Sequence, residues 1–190
     1  MSRYIVGITG ASGSIYAVRL LGELLQKNHE VHLIITHNGL KVLNFEMEYD
    51  IDELRKLTNL GGKLHIHSVD DLFATVASGS YIFDGMAVIP CSMSTMGEIA
   101  GGVSKNLLGR AADVCIKEKR RLVLVPRETP LSIIHLKNMV ALCEAGATVL
   151  PAMPAFYNKP RQIDDMVDFI VGKVLDSFGI ENNLYSKWGI

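Results

Sequence analysis

The residues best placed to do chemistry form one short string. Arg127 and Glu128 follow an apolar, β-branched run, Leu122 to Val125, closed by Pro126, and Thr129 and Pro130 come next. The run predicts a buried strand. Thr129 and Pro130 read as the N-cap and first residue of a helix. A cation and a carboxylate therefore fall where a parallel strand gives way to a helix, the edge at which open α/β sheets bind ligands. Arg127 offers a planar fork for phosphate, and Glu128 a proton donor or acceptor. The pair suits a site that holds an anion and moves a proton, although a surface ion pair would use the same two residues.

Two other strings repeat this design. Thr9-Gly10-Ala11-Ser12-Gly13-Ser14 joins a first strand to a first helix. Glycine lets backbone approach a ligand, and the helix start offers free N–H groups and a positive dipole end. The string is not GxGxxG, and Thr36-His37 stands where a ribose-binding acid would be expected. A dinucleotide is thus disfavoured against a mononucleotide such as FMN, while tight-turn chemistry alone would also write this string. Ser92-Met93-Ser94-Thr95 follows the strand Met86 to Pro90. Its three hydroxyls and fresh helix N–H groups suit a phosphate or a flavin edge, and N-capping accounts for only one of the three.

Other charged residues are individually ordinary. Glu46 by itself is a surface carboxylate. Arg110 and Lys117 lie seven residues apart, hence on one helix face, which a solvated face would explain equally. His65 and His67 alternate onto one face of a short strand with no third ligand close in sequence, so they read as structural or exposed rather than as a zinc site. His135, on an otherwise apolar helix, reads as a hydrogen-bonded core histidine. No metal site is expected.

These strings need elements to hold them. Buried-strand patterns occur at 4–9, 31–36, 86–90, 122–125 and 147–150, with a minor one at 64–69. Helical spacing occurs at 15–25, 40–46, after Thr95 to about Ala100, 106–119 and 130–145, with a shorter helix and loop within 50–63. A further helix at 162–178 carries Ile163, Met166, Val167, Ile170, Val174 and Phe178 on one stripe. Residues 79–84 and 151–157 read as loops, and residues from about 179 as a C-terminal tail carrying Trp188. Strand and helix alternate throughout, which calls for one α/β domain over 1–190: a doubly wound parallel sheet with helices on both faces.

Composition narrows the class. The 190 residues suit one domain with a full core. Nineteen basic and twenty acidic residues give a net charge of −1, with no electrostatic footprint for nucleic acid. A hydrophobic content of 48% and a mean hydropathy of +0.23 suggest surface buried between subunits. Three scattered cysteines without a CxxC fit reduced thiols and a cytoplasmic location. The chain enters a strand almost at once, so no signal peptide is expected, and no apolar run is long enough for a membrane helix.

Five strings in order, TGASGS at 9–14, PCSMST at 90–95, GRAADVCIKEKR at 109–120, LVLVPRETPLSIIHLKNM at 122–139 and PAMPAFYNKP at 151–160, resemble the UbiX-type flavin prenyltransferases. The small B subunits encoded with phenolic-acid decarboxylases are relatives of these enzymes. The resemblance runs from about residue 3 to 188. It implies a flavodoxin-like, Rossmann-type fold, usually a homo-dodecamer with sites where subunits meet. The implied reaction moves the dimethylallyl group of dimethylallyl phosphate to N5 and then C6 of reduced FMN. Prenylated FMN then serves a UbiD-type decarboxylase, and no metal takes part.

The resemblance also assigns residues. Gly10, Ala11 and Ser12 match the FMN-binding turn, with Ser12 near N5, and Thr36 stands where a serine often contacts FMN. Ser92, Met93, Ser94 and Thr95 match the second FMN loop, and Arg127 its arginine. Tyr157 matches the tyrosine that binds the prenyl phosphate. Lys173 replaces a common arginine, keeping the charge and losing the fork. Arg110 and Lys117 match further basic positions around the phosphate, Glu46 and Glu128 the acidic positions that handle protons, and Trp188 supplies an aromatic face for an allylic cation. Two rivals stand beside this reading: a flavin-dependent cysteine decarboxylase, whose loop asparagine is missing from residues 90–95, and a flavin carrier subunit of a decarboxylase.

Overall fold

The structure, a computed structural model, describes residues 1–189. Six strands form one parallel sheet: β1 (Arg3–Ile8), β2 (Glu30–Ile35), β3 (Lys63–His67), β4 (Gly85–Cys91), β5 (Arg121–Pro126) and β6 (Thr148–Val149). Their order, β3-β2-β1-β4-β5-β6, is the doubly wound arrangement expected from the alternation. Progression reverses between β1 and β4, so a crevice opens beyond the carboxyl ends of those two strands.

Seven α-helices cover the sheet: α1 (Ser14–Gln26), α2 (His37–Met47), α3 (Ile51–Lys56), α4 (Met93–Ala100), α5 (Leu107–Lys117), α6 (Ile133–Glu144) and α7 (Ile163–Phe178). Period-2 alternation splits each strand between two cores. Tyr4, Val6 and Ile8 of β1 pack with Leu20, Leu21 and Leu24 of α1 and Val171, Val174 and Phe178 of α7. Ile5 of the same strand points the other way, toward Met96 of α4 and Leu108 and Ala112 of α5. Cys91 and Cys115 are buried, which pushes both thiols up to about 12, and Cys143 is exposed; all three are free. Among the described residues no helix is long and apolar enough to cross a membrane.

Four readings are corrected. The helix expected from 130 begins at Ile133, capped by Ser132 rather than Thr129. Ser132 Oγ accepts from the His135 N–H at 3.2 Å and the Ser132 N–H donates to His135 Nδ1 at 3.2 Å, a reciprocal box that fixes the start there. Thr129 Oγ1 instead donates to the Glu128 carbonyl at 2.8 Å. His135 is accordingly a capping residue at a helix end, not a core histidine. Ile163 is exposed, because the stripe of α7 is completed by Phe169, Val171 and Leu175. Residues 180–188 are no loose tail: the Ile180 N–H donates to Leu175 O, and Asn182 Nδ2 donates to Gly172 O, which straps the segment to α7. Gly172 permits this, since a Cβ there would stand 2.6 Å from the Tyr185 ring.

Helix α6 buries only Leu142 within the chain and leaves Ile133, Ile134, Leu136 and Val140 exposed. An apolar stripe of this kind accounts for part of the high mean hydropathy of the chain.

Candidate active site

The β1–β4 crevice is held together by a buried hydroxyl. Thr9, fully buried, donates through Oγ1 to Pro90 O at 2.7 Å and accepts from the Ser92 N–H at 2.8 Å. One side chain thereby ties the turn after β1 to the turn after β4.

The first turn lies against α2. A Cβ on Gly10 would stand 2.9 Å from Asn38 Cβ, so only glycine lets the two loops approach this closely. Ala11 is buried and Ser12 exposed. Gly13, with φ of 112°, opens α1 but supplies no side-chain cap. Glu46, reaching across from α2, supplies it. Its carboxylate accepts from the Gly13 N–H at 3.0 and 3.1 Å and from the Ser14 N–H at 2.9 Å. Partial burial works against ionisation and is the largest single influence. Hydrogen bonds from the Ser12 hydroxyl and from the Ser14 and Gly13 N–H groups outweigh it and hold Glu46 below the usual carboxylate value. A residue that sequence alone makes an ordinary surface acid is thus the anion at a helix start.

Thr36 caps α2, its Oγ1 accepting from the Gly39 N–H at 3.0 Å. Ser92 caps α4 in the same way, accepting from the Thr95 N–H at 3.3 Å and donating to Thr95 Oγ1 at 3.1 Å. The Met93 side chain is buried in the core, which leaves its backbone N–H as the group it can offer a ligand, and Ser94 is exposed. From the end of β5, Arg127 donates through Nε to the Ser12 carbonyl at 3.2 Å, bringing its guanidinium onto the first turn. Glu128 Oε1 accepts from the Thr129 N–H at 3.1 Å. Residues from the ends of β1, β2, β4 and β5 therefore converge on one crevice rich in N–H groups and hydroxyls.

The predicted basic face of α5 lies elsewhere. Arg110 donates through Nε to Ala77 O at 3.0 Å and pairs with Asp113 at 2.6 Å, and Lys117 pairs with Glu118 at 3.1 Å. Both line a separate open cleft of about 560 Å³ with Phe73 and residues 77–80. Lys117 ends α5 just before β5 begins, so it sits at the amino edge of the sheet, opposite the crevice. Within one chain the two groups of residues do not meet.

Tyr157 and Trp188 do meet: their rings are 5.2 Å apart at 82°, and Tyr157 also packs edge-on against Phe169 at 6.0 Å. Phe169 continues to Tyr185, and Lys173 Nζ stands 5.7 Å over the Tyr185 ring. Tyr185 donates to Asp176 Oδ2 at 2.5 Å. Its phenol is pushed up, by burial first and then by that carboxylate.

The profile of the family described as Flavoprotein matches residues 1–175. A flavin prenyltransferase UbiX of Alkalihalophilus pseudofirmus is 51% identical over 189 residues, covering 97% of this chain and 94% of that protein. The chain belongs to the UbiX-type flavin prenyltransferase family. A structure of AnUbiX (PadA1) in complex with FMN and dimethylallyl pyrophosphate superposes on this prenyltransferase with a TM-score of 0.93 at 40% identity, covering 99% and 97% of the two chains. A dodecameric FMN-dependent UbiX-like decarboxylase from Escherichia coli O157:H7 gives 0.92 at 45% identity, covering 98% of each.

Two features of this prenyltransferase's structure escaped the sequence reading. Thr9 was legible as the junction of a strand and a turn, but its hydroxyl gains meaning from Pro90 and Ser92, more than eighty residues away. Tyr185, which packs on α7, lay in the C-terminal tail, where no periodicity pointed to that helix.

Proposed function

We propose that this protein transfers the dimethylallyl group of dimethylallyl phosphate to N5 and C6 of reduced FMN, giving prenylated FMN for a UbiD-type decarboxylase. The observation that carries the reading is the crevice itself, where Glu46, Ser12, Arg127 and the start of α4 converge. Its chemistry fits FMN: Ser94, Arg127 and the α4 N–H groups suit a phosphate. Bound flavin supplies the nucleophilic ring.

The remaining chemistry belongs to side chains. Gly10, Ala11, Ser12, Thr36 and residues 92–95 position the flavin. Glu46, ionised at neutral pH and anchored by two N–H groups, accepts the proton released as the new ring closes. Glu128 donates a proton to the departing phosphate. Tyr157, Lys173, Arg110 and Lys117 stabilise the charge that grows on it. Trp188 with Tyr157 walls the site and keeps water from an allylic cation. No metal is assigned a role.

Lys117 lies at the other edge of its own sheet and Arg110 shares its cleft, so both reach this chemistry from a second copy of the chain. The uncovered stripe of α6 gives copies an apolar face through which to associate, in keeping with a homo-dodecamer. A carrier that only stores FMN needs neither a second phosphate site nor an anchored proton acceptor.

The test is anaerobic incubation of the protein with reduced FMN and dimethylallyl phosphate, followed by mass spectrometry of the released flavin. A gain of one isoprene unit with free phosphate is expected. Unmodified flavin with both this donor and the diphosphate would favour the carrier.

A further inference from the structure

The four residues Glu30, His32, His65 and His67 take no part in the crevice. Parallel register places His32 of β2 directly beside His65 of β3, with His67 two residues further along the same face. The His32 ring stacks on both, at 4.8 Å and 5.1 Å. Glu30 Oε1 lies 3.4 Å from His32 Nε2 and 3.3 Å from His65 Nε2, and all three atoms fall within 4.8 Å of one another. Those two edges match the roughly 3.3–3.4 Å that ligand bonds near 2.0–2.1 Å require in a tetrahedral centre.

We propose that Glu30, His32 and His65 form a binding site for a divalent transition metal of the zinc type, structural rather than catalytic.

Two of the three ligands have hydrogen-bond partners of their own outside the set. Arg3 Nε donates to Glu30 Oε2 at 3.1 Å, which fixes the carboxylate and leaves Oε1 for the metal. The Tyr81 oxygen stands 2.8 Å from His32 Nε2, and a ligand role for that nitrogen places the ring hydrogen on Nδ1. The His32 Nδ1–H is then the donor to His67 Nε2, also at 2.8 Å. The Tyr81 oxygen, 3.4 Å from Glu30 Oε1 as well, marks the fourth corner.

Two imidazoles and one carboxylate favour zinc-like ions over magnesium or calcium, which take oxygen ligands. Burial differs across the set: the His32 side chain is 4% exposed and that of His65 48%. The site therefore has a fixed inner ligand and an open outer one through which an ion can enter. A bound ion would clamp the β2–β3 edge to β1, through Arg3, and to the loop that carries Tyr81.

The test uses the full-length protein stripped with a chelator, then dialysed against zinc sulfate and analysed for bound metal. Cobalt(II) absorption in the visible range reports the geometry. One equivalent of zinc per chain and an intense tetrahedral cobalt band are expected. His65→Gln, at an exposed position that does not threaten folding, should weaken zinc binding at least ~100-fold, and His67→Ala about 10-fold. Glu30→Gln should abolish the cobalt band. His37→Gln, on the exposed pair with Asp70, should change nothing. Absence of saturable uptake would overturn the proposal. So would one-equivalent uptake that is unchanged in both His65→Gln and Glu30→Gln, which would place the ion elsewhere, for instance at the exposed Cys143.

Discussion

Replacing Glu46 with glutamine isolates its charge from its shape. In the native chain one carboxylate accepts from two backbone donors at the start of α1, Gly13 and Ser14. Glutamine keeps one accepting oxygen and turns an NH2 group toward the other donor. The variant therefore loses one hydrogen bond to a charged acceptor and the favourable charge at a helix start. Those terms are worth ~1.5–3 and ~0.3–1 kcal/mol where well buried. Glu46 is largely exposed, and solvent screening reduces the sum to about 1–2 kcal/mol. For a chain of this size that is a fall in Tm of about 2–8 °C at pH 7. The pH dependence is the sharper signature. A carboxyl whose folded pKa lies below its ordinary value of 4.5 stabilises the fold above that value and loses the contribution as pH falls through the folded pKa. Native protein and Glu46→Gln should thus differ near neutrality and converge below pH 4.5. Thermal melts followed by circular dichroism across that range measure both curves. A constant offset at every pH, or none at neutral pH, would refute the assignment of Glu46 as the anionic cap of α1.

Gly10→Ala should push the start of α2 from the β1 turn, because the new Cβ would stand 2.9 Å from Asn38 Cβ. We expect a loss of about 1–3 kcal/mol of stability by urea denaturation, with weakened FMN binding by fluorescence titration and partial rescue by Asn38→Gly. Lys117→Ala should fail to release phosphate and Glu46→Gln should stall at the N5 adduct, so neither makes the ring-closed flavin. Co-assembly of the two should restore roughly a quarter of the activity if each site draws its two halves from different chains at random. No recovery on mixing would place Lys117 in the same site as its own Glu46.

What was legible in the sequence followed local rules. Strands β1, β2, β4 and β5 announced themselves as apolar runs, and their C-terminal turns carried glycine, serine and threonine at positions that suit a ligand edge, a cap or a tight turn. Arg127 and Glu128 were readable because they are adjacent to such a run. Errors arose where a partner decided the outcome. Thr129 has the residue type of a cap, but the Ser132–His135 exchange satisfies two groups at once and sets the helix start three residues later. Glu46 gained its role from a turn more than thirty residues earlier. That Glu30 and His32 stand beside His65 and His67 was not visible either, because strand pairing brings them together and sequence spacing does not express it. Arg110 and Lys117 did share a helix face, as their spacing required, yet that spacing holds no information on which edge of the sheet the face adjoins.

The strapping of residues 180–188 onto α7 sets an order of events during synthesis. All six strands and the turns of the crevice precede that segment in the chain, so the sheet can be complete before Trp188 has been translated. Domains assemble from the N-terminal side as the polypeptide emerges, and the aromatic wall at Tyr157 is closed by a ring made thirty-one residues after it. On the function proposed above, the crevice that takes the flavin is thus finished before the aromatic pair assigned to wall it.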